Sequence, residues 1–314
     1  MKPWIAVALL LGAQACLAQY PTKPVRIYVP NPPGGATDTL ARLLSPKMGE
    51  GLGQTVLVDN RPGSNGNVAT EMTGKAAPDG YSLLLGADAQ VVISPHLYNM
   101  QIDALRDLQP LASLVSTNMV LAVNASVPAG NLSEFVDYAR RAKPPLPYAS
   151  IGNGSQHHLA MEMLKTRAGI DLVHIPYKGG GPATVALLAG EVPVMFGGNS
   201  VAGQIKAGKL RVIAMAGRRA AAYPGVPALS ETYPGLEVTP WLGMFAPTGV
   251  PAPVLARLRA EIARLLADGE IRDKLRGLGG LEPFVTTPDE FTNFFRAEYA
   301  KYGQVVKAVG VKID

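Results

Sequence analysis

Cysteine is all but absent: the chain of 314 residues has one, Cys16. It lies in a stretch laid out like a cleavable secretory leader. Met1–Trp4 carries one positive charge, Ile5 to Leu11 is a short apolar run, and Cys16 and Ala18 supply small residues at the −3 and −1 positions before Gln19. Residues 1–18 are therefore expected to be a signal peptide, too short for a membrane span. Without it the chain has no thiol, so disulfides, a thiol nucleophile and a thiolate metal site are excluded. An exported protein of this size without disulfides fits a bacterial periplasm.

Histidine is scarce as well, with four in all: His96, His157, His158 and His174. His158 and Glu162 share a helix face, but zinc needs three or four ligands, and no motif joins the others. No metal and no cofactor are expected. Charge makes up 17% of the chain and is scattered, with a net +5 that becomes +4 on losing the one charge of Lys2. Nothing in that distribution suggests a nucleic-acid face. No later apolar run is long and uninterrupted enough to span a bilayer, and the mature protein is expected to be soluble.

What the chain has is glycine at the ends of strands. Val25-Arg-Ile-Tyr-Val29 alternates and stops at Pro30, and Asn31-Pro-Pro-Gly-Gly-Ala-Thr-Asp38 leads into a helix with Leu40, Leu43, Leu44 and Met48 on one face. Thr37 or Asp38 is placed to cap that helix. Thr55–Val58 is a buried-type strand followed by the loop Asp59–Gly66 and a helix around Val68–Ala77. Tyr81–Leu85 is a third strand, ending in Gly86-Ala-Asp88. Alternating strands and helices with short glycine loops argue a mostly parallel sheet flanked by helices.

The pattern then restarts. Met119–Val123 is a strand, a helix follows from Leu132 to Ala142 with Asn131 or Ser133 as cap, and Tyr148–Ile151 enters Gly152-Asn-Gly-Ser-Gln156 and a further helix. Leu172–Ile175, Val192–Phe196 and Leu210–Met215 are strands, and glycine loops follow the first two. The C-terminal helices, about Pro251–Ala267, Glu270–Arg276 and one from Pro288 with the capping box Thr287-Pro-Asp-Glu290, need a sheet to cover, and the N-terminal sheet is the nearest left bare. The expected architecture is α/β with two lobes. Residues 19–118 plus 243–314 form the first, residues 119–242 the second, and a hinge lies near 117–120 and 240–243.

A glycine-rich turn at a helix start leaves unpaired amides and the positive end of the helix dipole pointing the same way, which is an anion site. Pro33, Gly34, Gly35, Ala36, Thr37 and Asp38 are the candidates for a carboxylate grip in the first lobe, with the amides of Ala36 and Thr37 as donors. One loop cannot supply the roughly −8.2 kcal/mol of micromolar binding, so a second grip is required. Ser150, Gly154, Ser155 and Gln156 are its candidates, with His157 as a donor at the cleft edge. Tyr177 is expected to reach the cleft, Gly181 to cap a helix, and Asn199 to stand at another strand end within reach of a ligand. Asp88 is either a helix cap or an acceptor for a donor group on the ligand. Trp241 is expected to pack the hinge. Gly152-Asn-Gly-Ser155 is not a Gly-x-Ser-x-Gly elbow, and Tyr177–Gly181 lacks the order of a phosphate loop, so an enzyme is not expected.

Taken as an ordered set, Pro32-Pro-Gly-Gly-Ala-Thr-Asp38, Asn60-Arg-Pro-Gly-Ser-Asn-Gly66, Pro95-His-Leu-Tyr98, Pro176-Tyr-Lys-Gly179, Ala207-Gly-Lys-Leu-Arg211 and Trp241-Leu-Gly-Met-Phe-Ala-Pro247 resemble the periplasmic solute-binding receptors of tripartite tricarboxylate transporters, the Bordetella uptake gene (Bug) family. The resemblance implies a two-lobed periplasmic binding protein of the Venus-flytrap type. It implies capture of a small carboxylate (an amino acid, a di- or tricarboxylate or an aromatic acid) by a monomer that delivers it to membrane transporter subunits. A ligand-loaded co-sensor for a membrane sensor kinase is the alternative, and a periplasmic hydrolase a remote one. Phe196-Gly-Gly-Asn199 and Ala87-Asp88 depart from the common pattern of the family at strand ends, where ligand choice is decided.

Overall fold

In the first lobe the apolar alternation of Val25, Ile27 and Val29, all fully buried, makes β1 (Val25–Val29) the middle of a sheet and not its edge. The structure is a computed structural model and describes residues 20–278 and 281–311. The proposed leader and the last three residues lie outside that range. Helix α1 (Ala36–Leu52) follows and lays Leu40, Ala41, Leu44 and Met48 against the sheet. After β2 (Val56–Asn60), α2 (Asn67–Gly74) and β3 (Ser82–Ala87) come a one-turn π-helical segment (Ala89–Ile93), the short α3 (Ala104–Asp107) and the long strand β4 (Leu108–Thr117).

The second lobe runs through β5 (Val120–Asn124), α4 (Leu132–Arg141), β6 (Leu146–Ser150), α5 (Gln156–Ala168), β7 (Leu172–Pro176), α6 (Gly180–Ala189), β8 (Val194–Gly197), α7 (Asn199–Lys206) and β9 (Leu210–Met215). Helix α4 starts at Asn131, whose side chain accepts from the Glu134 amide. After α8 (Leu229–Thr232) the chain returns to the first lobe as β10 (Trp241–Pro247), then α9 (Ala252–Ala267), α10 (Gly269–Gly277), β11 (Leu281–Pro283) and α11 (Pro288–Val309). The capping box at Thr287 and Glu290 opens α11 as its sequence dictates.

The sheets are ordered β11-β4-β10-β3-β1-β2 and β7-β6-β8-β5-β9. Both are mixed. β1 pairs parallel with β2 and β3, and β6 parallel with β7 and β8, but β10 enters antiparallel between β3 and β4, and β5 antiparallel between β8 and β9. β10 and β5 are the strands on which the chain enters one lobe from the other; the short β11 is also antiparallel, to β4. A strand arriving from the other lobe enters at the edge that faces it, which is the carboxyl edge of the parallel strands, and so runs against them.

Each sheet has its own cores. Ile27, Met48, Met244 and Ile262 belong to one on the first sheet, and Phe135, Tyr148, Phe196 and Ile213 to one on the second. The two crossings bond to each other: the Thr117 amide donates to Pro240 O at 2.9 Å, the Ala216 amide to Met119 O at 2.8 Å, and the Val238 amide to Ala216 O at 2.9 Å. Among the described residues no helix is long and apolar enough to cross a membrane.

Candidate functional site

Helix α1 opens at Gly35, which has extended backbone angles and offers no side chain to the first amides. The first intrahelical bond comes from the Thr39 amide to Gly35 O at 2.9 Å. Thr37 and Asp38 are therefore inside the helix and do not cap it, contrary to the sequence expectation. The reason is that both side chains are committed elsewhere. Thr37 Oγ1 donates to Asn31 Oδ1 at 2.8 Å, and the Asp38 carboxylate accepts from the Gly34 amide at 2.9 Å, from Arg42 Nε at 2.9 and 3.0 Å, and from Asn60 Nδ2 at 3.0 Å.

Burial alone would raise the Asp38 carboxyl, but the bonds from Arg42, Gly34 and Asn60 outweigh it and hold it below the usual range. Asn60 also donates to Asn31 O at 3.0 Å, so the end of β2 braces the loop after β1. Gly34 sits at φ +89°, where a side chain is strained. The result is a rigid turn with Pro33, Gly34 and Ala36 exposed and Thr37 and Asp38 buried. Asn60 and Arg42 were not singled out as site residues. Asn60 stands at the end of a parallel strand, and that position was the available signal.

In the second lobe the turn after β6 is built by its own side chains. Ser155 caps α5, accepting from the His158 amide at 3.3 Å and donating to Gly152 O at 2.7 Å. Ser150 Oγ is fully buried, 2.6 Å from His174 Nε2 and 3.1 Å from the Gly152 amide. The Gly154 amide donates to His158 Nδ1 at 3.1 Å, and the His158 ring stacks on His174 with centroids 3.8 Å apart. An acceptor role for His158 Nδ1 requires a neutral ring, and burial lowers the His158 pKa in that direction. Burial and the neighbouring His158 push His174 down to about 4. His157 next door has a buried Nδ1 with no partner among the described residues, and burial pushes it to about 4.

The remaining second-lobe candidates separate. Tyr177 is half-buried, and its amide donates to Ser150 O at 3.0 Å. Gly181 is exposed inside α6. The cap is Gly179 instead, because its φ of +102° makes the turn that only glycine takes without strain. Asn199 opens α7 after Gly198, and its side chain lies outside what the structure describes. Neither Gly179 nor Gly198 offers a side-chain cap. Helices α6 and α7 therefore resemble α1 in presenting bare N-termini, whereas α5 does not.

Asp88 joins the lobes. Its Oδ1 accepts from the Ala89 amide at 2.6 Å, and its Oδ2 accepts from the Trp241 amide at 3.2 Å and from Gln156 Nε2. Gln156 also donates to Tyr302 Oη at 3.2 Å. All four side chains are buried. Burial pushes the Asp88 carboxyl up to about 8, against the pull of the Ala89 and Trp241 amides. Asp88 stands at the carboxyl end of β3 and Gln156 follows the carboxyl end of β6, so their contact brings the two carboxyl edges together. In open α/β sheets ligands bind at such edges. Trp241 is 1% exposed and packs edge-on to Phe291 and Phe294 beside the crossing.

Residues 40–311 match the model of a family described as the tripartite tricarboxylate transporter family receptor. The chain is 32% identical over 308 residues to Protein BugT of Bordetella pertussis, a match covering 96% of this chain and 94% of that one. Among solved structures it is similar to Rpa4515 of R. palustris with adipate, at 30% identity and a TM-score of 0.81, covering 93% of this chain and 99% of the other. It is also similar to MatC from Rhodopseudomonas palustris with bound malate, at 30% identity and a TM-score of 0.77, covering 91% and 100%.

Proposed function

Because the chain belongs to the family of tripartite tricarboxylate transporter receptors, which are solute-binding proteins and not enzymes, we propose that it captures a small organic carboxylate between its lobes and delivers it to a membrane transporter. The lobes are residues 19–118 with 243–314 and residues 119–242, turning about the segments near 117–120 and 240–243. The leader ends at Ala18, and the receptor works in the periplasm as a monomer.

The observation that carries this reading is the N-terminus of α1, which has no side-chain cap and is held open by Asp38. Its amides at Ala36 and Thr37 hold one carboxylate. The second grip comes from the other lobe. The loop Gly154–His157 forms one wall, with Tyr177 and Asn199 beside it, and the bare ends of α6 and α7 supply amide donors. A helix end is worth about 0.3–1 kcal/mol to an exposed anion and up to about 2 when partly buried. Charge-assisted hydrogen bonds add about 1.5–3 kcal/mol each. Two such grips, less the cost of association, reach the micromolar range, and only a closed cleft offers both. A ligand with two carboxylates matches two anion-binding ends, and two of the similar structures hold such ligands, adipate and malate.

The test is a thermal-shift screen of residues 19–314 against adipate, malate and their diamides. A ligand at a hundred times its Kd is expected to stabilise by about 2.7 kcal/mol, and the diamides by nothing measurable. Equal stabilisation by acids and amides would overturn the carboxylate reading.

A further inference from the structure

The crossings between lobes also frame a cavity of about 250 Å³, bounded by Ser116–Met119, by the segment Met215–Arg219 after β9, and by Phe284 and Phe294 beyond β11. It is not the cleft described above. The carboxylate grips follow β1, β6, β7 and β8, whereas β4 with β11 and β5 with β9 lie toward the opposite ends of the two sheets. The cavity is therefore behind the hinge.

Its chemistry is specific. Trp241 lines it, and the buried indole Nε1 has no acceptor among the described residues. One wall is aromatic, with Phe294 meeting Trp241 edge-on at 5.4 Å and Phe284 at 5.1 Å; Met119 and Met215 add thioethers, and Ser116, Thr117, Asn118, Thr239 and Glu237 also line it. At the mouth stands Arg218, 92% exposed, whose nearest carboxylate, Glu237, is 3.7 Å away. Arg219 beside it is fully engaged by Glu231 at 2.6 and 2.7 Å. A cavity of about 150 Å³ holds a benzene ring, so this one admits a ring with polar substituents.

We propose that this pocket behind the hinge is a second ligand site that takes a small aromatic carboxylate. The ring lies against Trp241, Phe294 and Met215, and the carboxylate meets Arg218. Trp241 and Phe294 belong to the first lobe, Met215 and Arg218 to the second.

Trp4 falls in the leader, so Trp241 is the single tryptophan of residues 19–314. Its indole N–H gives one signal in a nitrogen-15 correlation spectrum. Titration with 4-hydroxybenzoate is expected to move that signal saturably. The exposed Arg218→Glu substitution, which leaves the packing alone, is expected to weaken binding about tenfold or more, the loss of one charge-assisted hydrogen bond. An unmoved signal at millimolar probe would overturn the proposal, as would an unchanged titration in Arg218→Glu. Loss of the shift under excess adipate and malate would place the probe in the cleft and also overturn it. Persistence of the shift under that excess supports a separate site, whatever the cleft binds.

Discussion

Gly35→Asp separates the two roles of a helix N-terminus. Gly35 has φ −73° and ψ 168°, angles open to any residue, and a Cβ there meets only Asn31 and Pro32 at 3.5 Å. An aspartate fits without strain and can accept from the amides two and three residues on. Replacing glycine by a capping side chain gains a few tenths of a kcal/mol. A negative charge at the helix start adds about 0.3–1 kcal/mol, so the apo protein becomes more stable by about 0.5–1 kcal/mol. The same side chain takes the Thr37 amide, one of the two proposed to hold the ligand. A carboxylate ligand then loses the dipole contribution and at least one charge-assisted bond, about 2–4 kcal/mol together, or 30-fold to 1,000-fold in affinity. Gly35→Ala introduces no acceptor and keeps the amides, so its affinity stays within about threefold, a change under 1 kcal/mol. Urea melts of the apo protein and titration calorimetry with whichever carboxylate stabilises it measure both effects. A stabilised Gly35→Asp that binds as tightly as the parent refutes the anion grip at α1.

Three further substitutions probe the groups behind the site. Asp38→Ala removes the charged acceptor of the Gly34 amide, Arg42 and Asn60, and the loss of these part-buried charge-assisted bonds is expected to cost about 1.5–3 kcal/mol in urea melts; a loss well under 1 kcal/mol would mean that the turn holds itself. Asp88 binds its proton up to about pH 8 in the folded state and only up to about 3.9 when unfolded, so its contribution is complete below 3.9 and lost as pH rises to 8. Relative to Asp88→Asn, the parent is expected to lose stability between pH 5 and 8 by up to about 1.4 kcal/mol per unit, and parallel pH profiles would contradict the burial argument. His157 and His174 act in the opposite sense, being neutral when folded down to about pH 4, so their contribution is present above 6.5 and fades on acidification, and it cancels in that comparison. Tyr302→Phe, which removes one partner of Gln156, is expected to cost about 1 kcal/mol in the same melts, and no loss would show that Gln156 is satisfied by Asp88 alone.

The parallel half of each sheet was legible because its strands are short apolar runs followed by glycine-containing loops. The strand β4 was missed, although it is ten residues long. Pro110 lies within it, and proline in a run argues against a strand. The structure accommodates Pro110 opposite Phe245, where the register with β10 slips between Met244 and Phe245. A proline beside a bulge is permitted, but the bulge, in which Leu111 of β4 is the extra residue, exists only against a partner strand more than a hundred residues away. The short β11 pairs with β4 and was hidden for the same reason. The return of the C-terminal helices to the first lobe was readable from what they had to cover.

The site was legible where the signal is local, and less so where a side chain's partner is distant. Thr37 and Asp38 are good capping residues by type, and nothing in the octapeptide Asn31–Asp38 says that Asn31 and Asn60 claim them first. In the second lobe the serines drew attention to α5. A serine at a helix start satisfies the amides that an anion needs, and Ser155 does so. Glycine at the same position leaves them free, as at Gly35, Gly179 and Gly198. For an anion receptor the telling residue is therefore the missing cap and not the attractive one. By that criterion Gly179 and Gly198, and not Ser155, are where the second lobe has amides to offer a ligand.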